Sequence, residues 1–133
     1  ALIPKALKEG RLINAELEII VNEALAKATT WDLETKEGKL SILVGEVPSE
    51  LGSLFGSVYN DSCDCNSLAI GTYSEGGLVK SLSLRSKGTV GYARIVAESL
   101  GGGGHGHASG ATFSNKPITK EELIEKVNQV LQA

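Results

Sequence analysis

Four consecutive glycines, Gly101 to Gly104, stand in the segment ESLGGGGHGHASGATF, residues 98 to 113, and they limit what the surrounding chain can be. A glycine inside a helix costs about 1 kcal/mol relative to alanine, so the helical pattern before the run must end there. A flexible spacer would have polar flanks and separate two folded units. This run is pressed between that helical pattern and a short apolar strand-like stretch, Ala108 to Ser114, and reads as a built loop. With 133 residues, 41% of them apolar, and three prolines, the chain has the makings of one compact domain with a real core.

Hydrophobic spacing divides the rest into alternating elements. Ile13, Leu17, Ile20, Val21, Ala24, Leu25 and Ala28 mark one face of a long amphipathic helix. Thr30 to Thr35 and Leu40 to Val47 flank a Glu37-Gly38 turn, the pattern of paired strands. Pro48 and Ser49 open a second helix carrying Leu51, Leu54, Phe55, Val58 and Tyr59. Ser67 to Tyr73 and Leu78 to Leu84 are strands on either side of the Glu75-Gly76-Gly77 turn. A third helix is predicted from Val90 to Leu100, with Ala93, Val96, Ala97 and Leu100 inward. The last begins at Thr119, which has capping-box spacing to Glu122, and turns Leu123, Val127, Val130 and Leu131 to one face. Roughly five strands and four helices in mixed order predict a single α/β domain, a mixed sheet covered by helices, with α+β as the other arrangement this order allows.

The net charge of −3 provides no broad basic field for a nucleic-acid backbone, so any nucleotide contact must come from a local site. No apolar stretch approaches bilayer length, and the first residues lack the organisation of a signal peptide; the expectation is no membrane and a cytoplasmic location. Cys63 and Cys65, one residue apart, have poor spacing for a disulfide and fit a reducing compartment.

Glycines can turn several peptide N–H groups toward one point, a concavity suited to phosphate. A helix stop with a tight packing turn is the alternative reading of the run. Gly101, Gly103 and Gly106 formally match G-x-G-x-x-G, but the dinucleotide fingerprint needs a strand before it and a helix after it, and here the order is helix, loop, strand. Without a Gly-Lys-Ser/Thr ending, a nucleotide-hydrolysing P-loop is excluded. His105 is placed to donate to a phosphate oxygen, whereas His107, two residues on, reads as loop or rim. Cys63, Cys65, His105 and His107 are four zinc-type ligands, but each pair is spaced more tightly than structural zinc sites use, and no metal is assigned. Arg85, ending a strand and followed by Ser86 and Lys87, offers a guanidinium for bidentate phosphate contact beside hydroxyl and amine donors.

The segment SLRSKGTVGYARIVAESLGGGGHGHASGATF, residues 83 to 113, resembles the core of the DHH-associated domain, the C-terminal domain of DHH-family phosphoesterases. The Arg85-Ser86 pair, the following helix, the glycine run ending in His105, and Ala108-Ser109-Gly110 carry the resemblance. It implies a linker and leading helix over residues 1–26 and the DHH-associated domain over 27–133. It also implies substrate-binding residues Arg85, Ser86, Gly102, Gly103, Gly104 and His105, and no catalytic residue in this chain. In such enzymes a separate N-terminal DHH domain binds divalent metal, usually manganese, through aspartates and histidines. This chain has no Asp-His-His tripeptide and two histidines, both in one loop. Metal-assisted hydrolysis needs those ligands to acidify water, so the chain is expected to be non-catalytic alone and to hold no cofactor. The implied partners are a nucleotide or short single-stranded oligonucleotide and a DHH domain in cis or in trans, with a homo-oligomer allowed. The Ala-Ser-Gly ending is most similar to the nano-RNase and pAp-phosphatase branch, with cyclic-dinucleotide phosphodiesterases and RecJ-type exonucleases as relatives. Two other classes compete: an RNA- or tRNA-binding accessory module related to the alanyl-tRNA synthetase domain, and a non-catalytic oligomerisation domain.

Overall fold

Residues 14–113 and 116–132 are described in a computed structural model of the chain. Helix α1 (Asn14–Lys27) leads into a hairpin of β1 (Thr29–Thr35) and β2 (Gly38–Glu46), in which Thr35 pairs with Gly38 and Thr29 with Val44. A 3-10 turn at Ser49–Leu51 feeds α2 (Gly52–Ser62), which carries the chain across to β3 (Asn66–Glu75), parallel to β2. β3 turns at Gly76-Gly77 into antiparallel β4 (Leu78–Lys87). Then come α3 (Tyr92–Ser99), the short strand β5 (Gly103–His105), β6 (Ala108–Thr112) and α4 (Lys120–Gln132). β6 pairs antiparallel with β4 on one side and β5 on the other, giving the order β1-β2-β3-β4-β6-β5. The result is the expected mixed α/β domain, with a sixth strand that the glycine run itself supplies. Ser114 and residues 1–13 of the linker and leading helix expected over 1–26, Ile13 among them, lie outside the described residues.

Side chains alternate across a strand, and the alternation sorts two cores. Leu40, Ile42 and Val44 of β2, Leu68 and Ile70 of β3, and Leu82 and Leu84 of β4 are buried on the face covered by α3 and α4, against Val96, Leu123 and Val127. Leu43 and Ala69 are buried on the other face, under Val21 of α1 and Leu51 and Phe55 of α2. The parallel strands β2 and β3 are thus covered on both faces, which explains their near-continuous apolar runs. The capping box at the start of α4 forms as expected, with the Glu122 N–H donating to Thr119 Oγ1 at 3.1 Å. At the far edge, Trp31 Nε1 donates to Asn128 Oδ1 at 2.9 Å and ties α4 to β1.

α2 sits unusually low over β4 because of two glycines one turn apart. A Cβ on Gly52 would stand 2.5 Å from the Ser83 Cβ, and one on Gly56 would stand 2.6 Å from the Arg85 Cβ. Ser83 and Arg85 therefore lie on the α2 face of the sheet. Tyr59, two turns along α2 from Gly52, shares a 2.6 Å hydrogen bond with Ser41 on the same face, and burial pushes its phenol up to about 12. No helix among the described residues is long and apolar enough to cross a membrane.

Phe55 is fully buried between α2 and the sheet. Phe55→Ala is expected to lower stability by about 3–5 kcal/mol through lost burial and a residual cavity, read as a fall in the urea midpoint at unchanged slope.

Candidate anion-binding site

The site is built at the β6 side of the sheet, where the helices on one face stop. Arg85 on β4 lies directly opposite Ala108 on β6, and Ala108 lies directly opposite His105 on β5. Directly paired residues project to the same face, so Arg85, Ala108 and His105 form one row on the α2 side. Two strand spacings separate the outer members by roughly 10 Å at Cα, and both side chains are long enough to meet above the Ala108 methyl group. Arg85 is half-buried and His105 exposed. Among the described residues Arg85 has no carboxylate partner, whereas Arg94 is paired with Glu98 and Lys39 with Asp32. The adjacent row, Ser83, Gly110 and Gly103, adds a hydroxyl and bare backbone, so the shelf beside Arg85 and His105 is uncharged and almost without side chains.

The glycine run divides its work. The Gly101 N–H donates to Glu98 O and the Gly102 N–H to Ala97 O, which ends α3, and Gly101 takes a φ of 88°. Gly102 then packs on β6, where a Cβ would come 2.1 Å from Gly110 O. Gly103 and Gly104 belong to β5, a sheet edge whose alternate peptide groups face no partner strand. A Cβ on Gly103 would meet open space, while Gly104 combines a φ of 150° with Ala108 O at 2.7 Å from such a Cβ. Gly101 and Gly102 realise the helix-stop reading, while Gly103 and Gly104 form an edge strand.

Ser86 does not join Arg85. As the next residue on β4 it turns to the opposite face, where its buried hydroxyl lies 2.8 Å from His107 Nδ1 and accepts the Ala93 N–H at 3.1 Å. The Ser86 N–H donates to His107 O at 3.0 Å, and the Arg94 N–H to Gly106 O at 3.3 Å. Gly91 at the start of α3 approaches Gly106 so closely that a Cβ would stand 2.7 Å from its carbonyl oxygen. The first N–H groups of α3 are therefore spent on the protein itself, and an anion is not held at that helix N-terminus. The two histidines separate, His105 to the open row and His107 to Ser86; residues two apart in a strand share a face, so the separation comes from the turn at Gly106-His107 and not from the spacing. The Ser86–His107 contact escapes sequence reasoning because it joins residues 21 apart across a sheet edge.

Elsewhere the chemistry is quieter. Cys63 and Cys65 are free, half-buried thiols at the end of α2, and no group of three or more His, Cys, Asp or Glu side chains gathers around a point among the described residues. Lys87, on the Arg85 face, is engaged by the Cys63 carbonyl oxygen. A groove of about 660 Å3 lies beside α1 at the carboxyl ends of β2 and β3. Its Lys27 and Lys120 are offset by Glu23 and Glu46, so it has no net charge to attract an anion.

The fold is shared with several solved structures. An exopolyphosphatase-related protein from Bacteroides fragilis matches with a TM-score of 0.62 at 20% identity, over 98% of this chain and 39% of that one. The C-Ala domain of alanyl-tRNA synthetase from Aquifex aeolicus matches with a TM-score of 0.54 at 14% identity, over 77% of this chain and 99% of that one. PggH, a pGpG-specific phosphodiesterase from Vibrio cholerae, matches with a TM-score of 0.50 at 13% identity, over 96% of this chain and 43% of that one. These likenesses support a DHH-associated fold and speak for fold alone. The chain spans about two-fifths of the length of the exopolyphosphatase-related protein and of PggH. No protein-family profile matches it, and no curated protein matches it in sequence.

The two β5 glycines make opposite predictions. Gly103→Ala should leave the thermal midpoint nearly unchanged, within about 0.5 kcal/mol, because its Cβ enters open space. Gly104→Ala should cost about 1–3 kcal/mol, since it must hold a left-handed φ against backbone it cannot displace.

Proposed function

We propose that this chain is the substrate-holding domain of a DHH-family phosphoesterase acting on short oligonucleotides or nucleotide phosphates, and that the Arg85–Ala108–His105 row receives the substrate phosphate. The observation that carries this reading is the pairing register: it puts a guanidinium with no carboxylate partner among the described residues and an imidazole on either side of a methyl group, on a floor of glycine and serine. Charge-assisted bonds to phosphate are roughly twice as strong as neutral ones, and arginine can make two in parallel. Gly103 keeps the floor open for close approach, and Gly102 and Gly104 hold its edge against β6. In this reading Ser86 serves the site from behind, by holding the loop, rather than by touching the phosphate.

The likeness in fold to an exopolyphosphatase-related protein and to a pGpG-specific phosphodiesterase favours a phosphorylated ligand of nucleotide size. In this reading the divalent metal and the water it activates belong to an accompanying DHH domain, in cis or in trans, and this chain holds the substrate. The match to nearly the whole C-Ala domain favours a second reading, an RNA-binding accessory module. Against it stand the net charge of −3 and a face whose cations beside the shelf are Arg85 and Lys87, the latter engaged by the Cys63 carbonyl oxygen.

Calorimetric titration separates the two. A 5′-phosphorylated dinucleotide should bind at least about tenfold tighter than its unphosphorylated form, and Arg85→Ala or His105→Ala should each remove about tenfold or more of that affinity. Gly103→Leu should block binding with the thermal midpoint retained. The plot of log K against log salt should have a slope near −1, the value for about one neutralised phosphate. Equal binding of both dinucleotides by the folded protein rejects the phosphate row, and a steep salt dependence with folded RNA selects the second reading.

A further inference from the structure

We propose that His107 is a positioning residue for the phosphate row, acting through Ser86; the proposal rests on the phosphate-holding reading above. Gly106 and His107 form the two-residue turn between β5 and β6, so they fix where His105 lies relative to β4. β5 is three residues long and pairs with β6 alone in the sheet, so at its far end its position depends on the turn as anchor. That anchor is made entirely by Ser86 and the start of α3: the Ser86 N–H to His107 O, the Arg94 N–H to Gly106 O, and the side-chain link from Ser86 Oγ to His107 Nδ1.

Ser86 Oγ accepts the Ala93 N–H with one lone pair and keeps a proton and a second lone pair for His107 Nδ1. The Ser86 hydroxyl thus fastens β4, α3 and the turn at one point. Arg85 is the residue before that point on β4, and His105 is two residues before His107. A second bond, from Ser109 Oγ to His105 O at 2.6 Å, holds the other side of the hairpin. Losing the imidazole leaves the turn on its two backbone bonds, and the position of His105 relative to Arg85 is held less firmly. Asparagine at position 107 carries an acceptor oxygen on the same Cγ and replaces the ring nitrogen in the link.

The test compares the wild type, His107→Ala and His107→Asn by titration with the 5′-phosphorylated dinucleotide, by thermal midpoint, and by hydrogen exchange at the Ala93 amide. His107→Ala is expected to weaken binding about five- to thirty-fold and to speed Ala93 exchange about tenfold, with the protein still folded at the assay temperature. His107→Asn is expected to restore both. Adding Ser86→Ala to His107→Ala should weaken binding no further, because the two act as one unit. Unchanged binding by His107→Ala, or failure of a folded His107→Asn to recover it, overturns the positioning role while the phosphate reading stands. If the wild type does not prefer the phosphorylated dinucleotide, the phosphate reading fails and the positioning role fails with it.

Discussion

Alternation along β4 is the constraint on which the rest of the site depends. Ser83, Arg85 and Lys87 must face α2 if Leu82, Leu84 and Ser86 face α3, and the buried leucines leave no freedom to slip the register by one residue. β4 is therefore two devices on one strand. Its odd positions build a polar shelf, and its even positions build a core that ends, at Ser86, in the hydroxyl that caps α3. Gly52 and Gly56 complete the arrangement by bringing α2 down beside Ser83 and Arg85, so that the guanidinium emerges at the margin of the helix.

Much of this order is legible in the sequence because the elements carry side chains with a period. α1, α2 and α4 follow from apolar spacing, and the Thr119/Glu122 box marks the start of α4 as read. The exceptions have physical reasons. β5 is invisible because glycine has no side chain to alternate; it exists because β6 offers it an edge to pair with. β4 runs to Lys87, three residues beyond its apolar pattern, because Arg85, Ser86 and Lys87 pair with Ala69, Leu68 and Ser67. A strand ended at Leu84 leaves Arg85 and Ser86 side by side in a loop; a strand extended to Lys87 sends them to opposite faces. Arg85 and His105 were nameable from local chemistry and family resemblance together. The link between His107 and Ser86 was not, since it depends on how a two-residue turn docks against a helix start more than ten residues earlier in the chain.

The charges close the argument about what the shelf is suited to. Cations near it are accounted for: Lys87 is held by a carbonyl oxygen, Arg94 by Glu98, and the N-terminal amides of α3 by Ser86 and Gly106. Arg85 remains, with His105 facing it. A site that tracked a nucleic-acid backbone would repeat its cations along the groove, because each phosphate neutralised adds its own share of affinity. The row next to Arg85 holds Ser83, Gly110 and Gly103, with no second cation. A shelf of one charged row and one bare row is matched to a group with its charge at one end and an uncharged, flat remainder. In the proposed reading a terminal phosphate on a short nucleotide has that shape, and lengthening the chain beyond the bare row would add length without adding contacts.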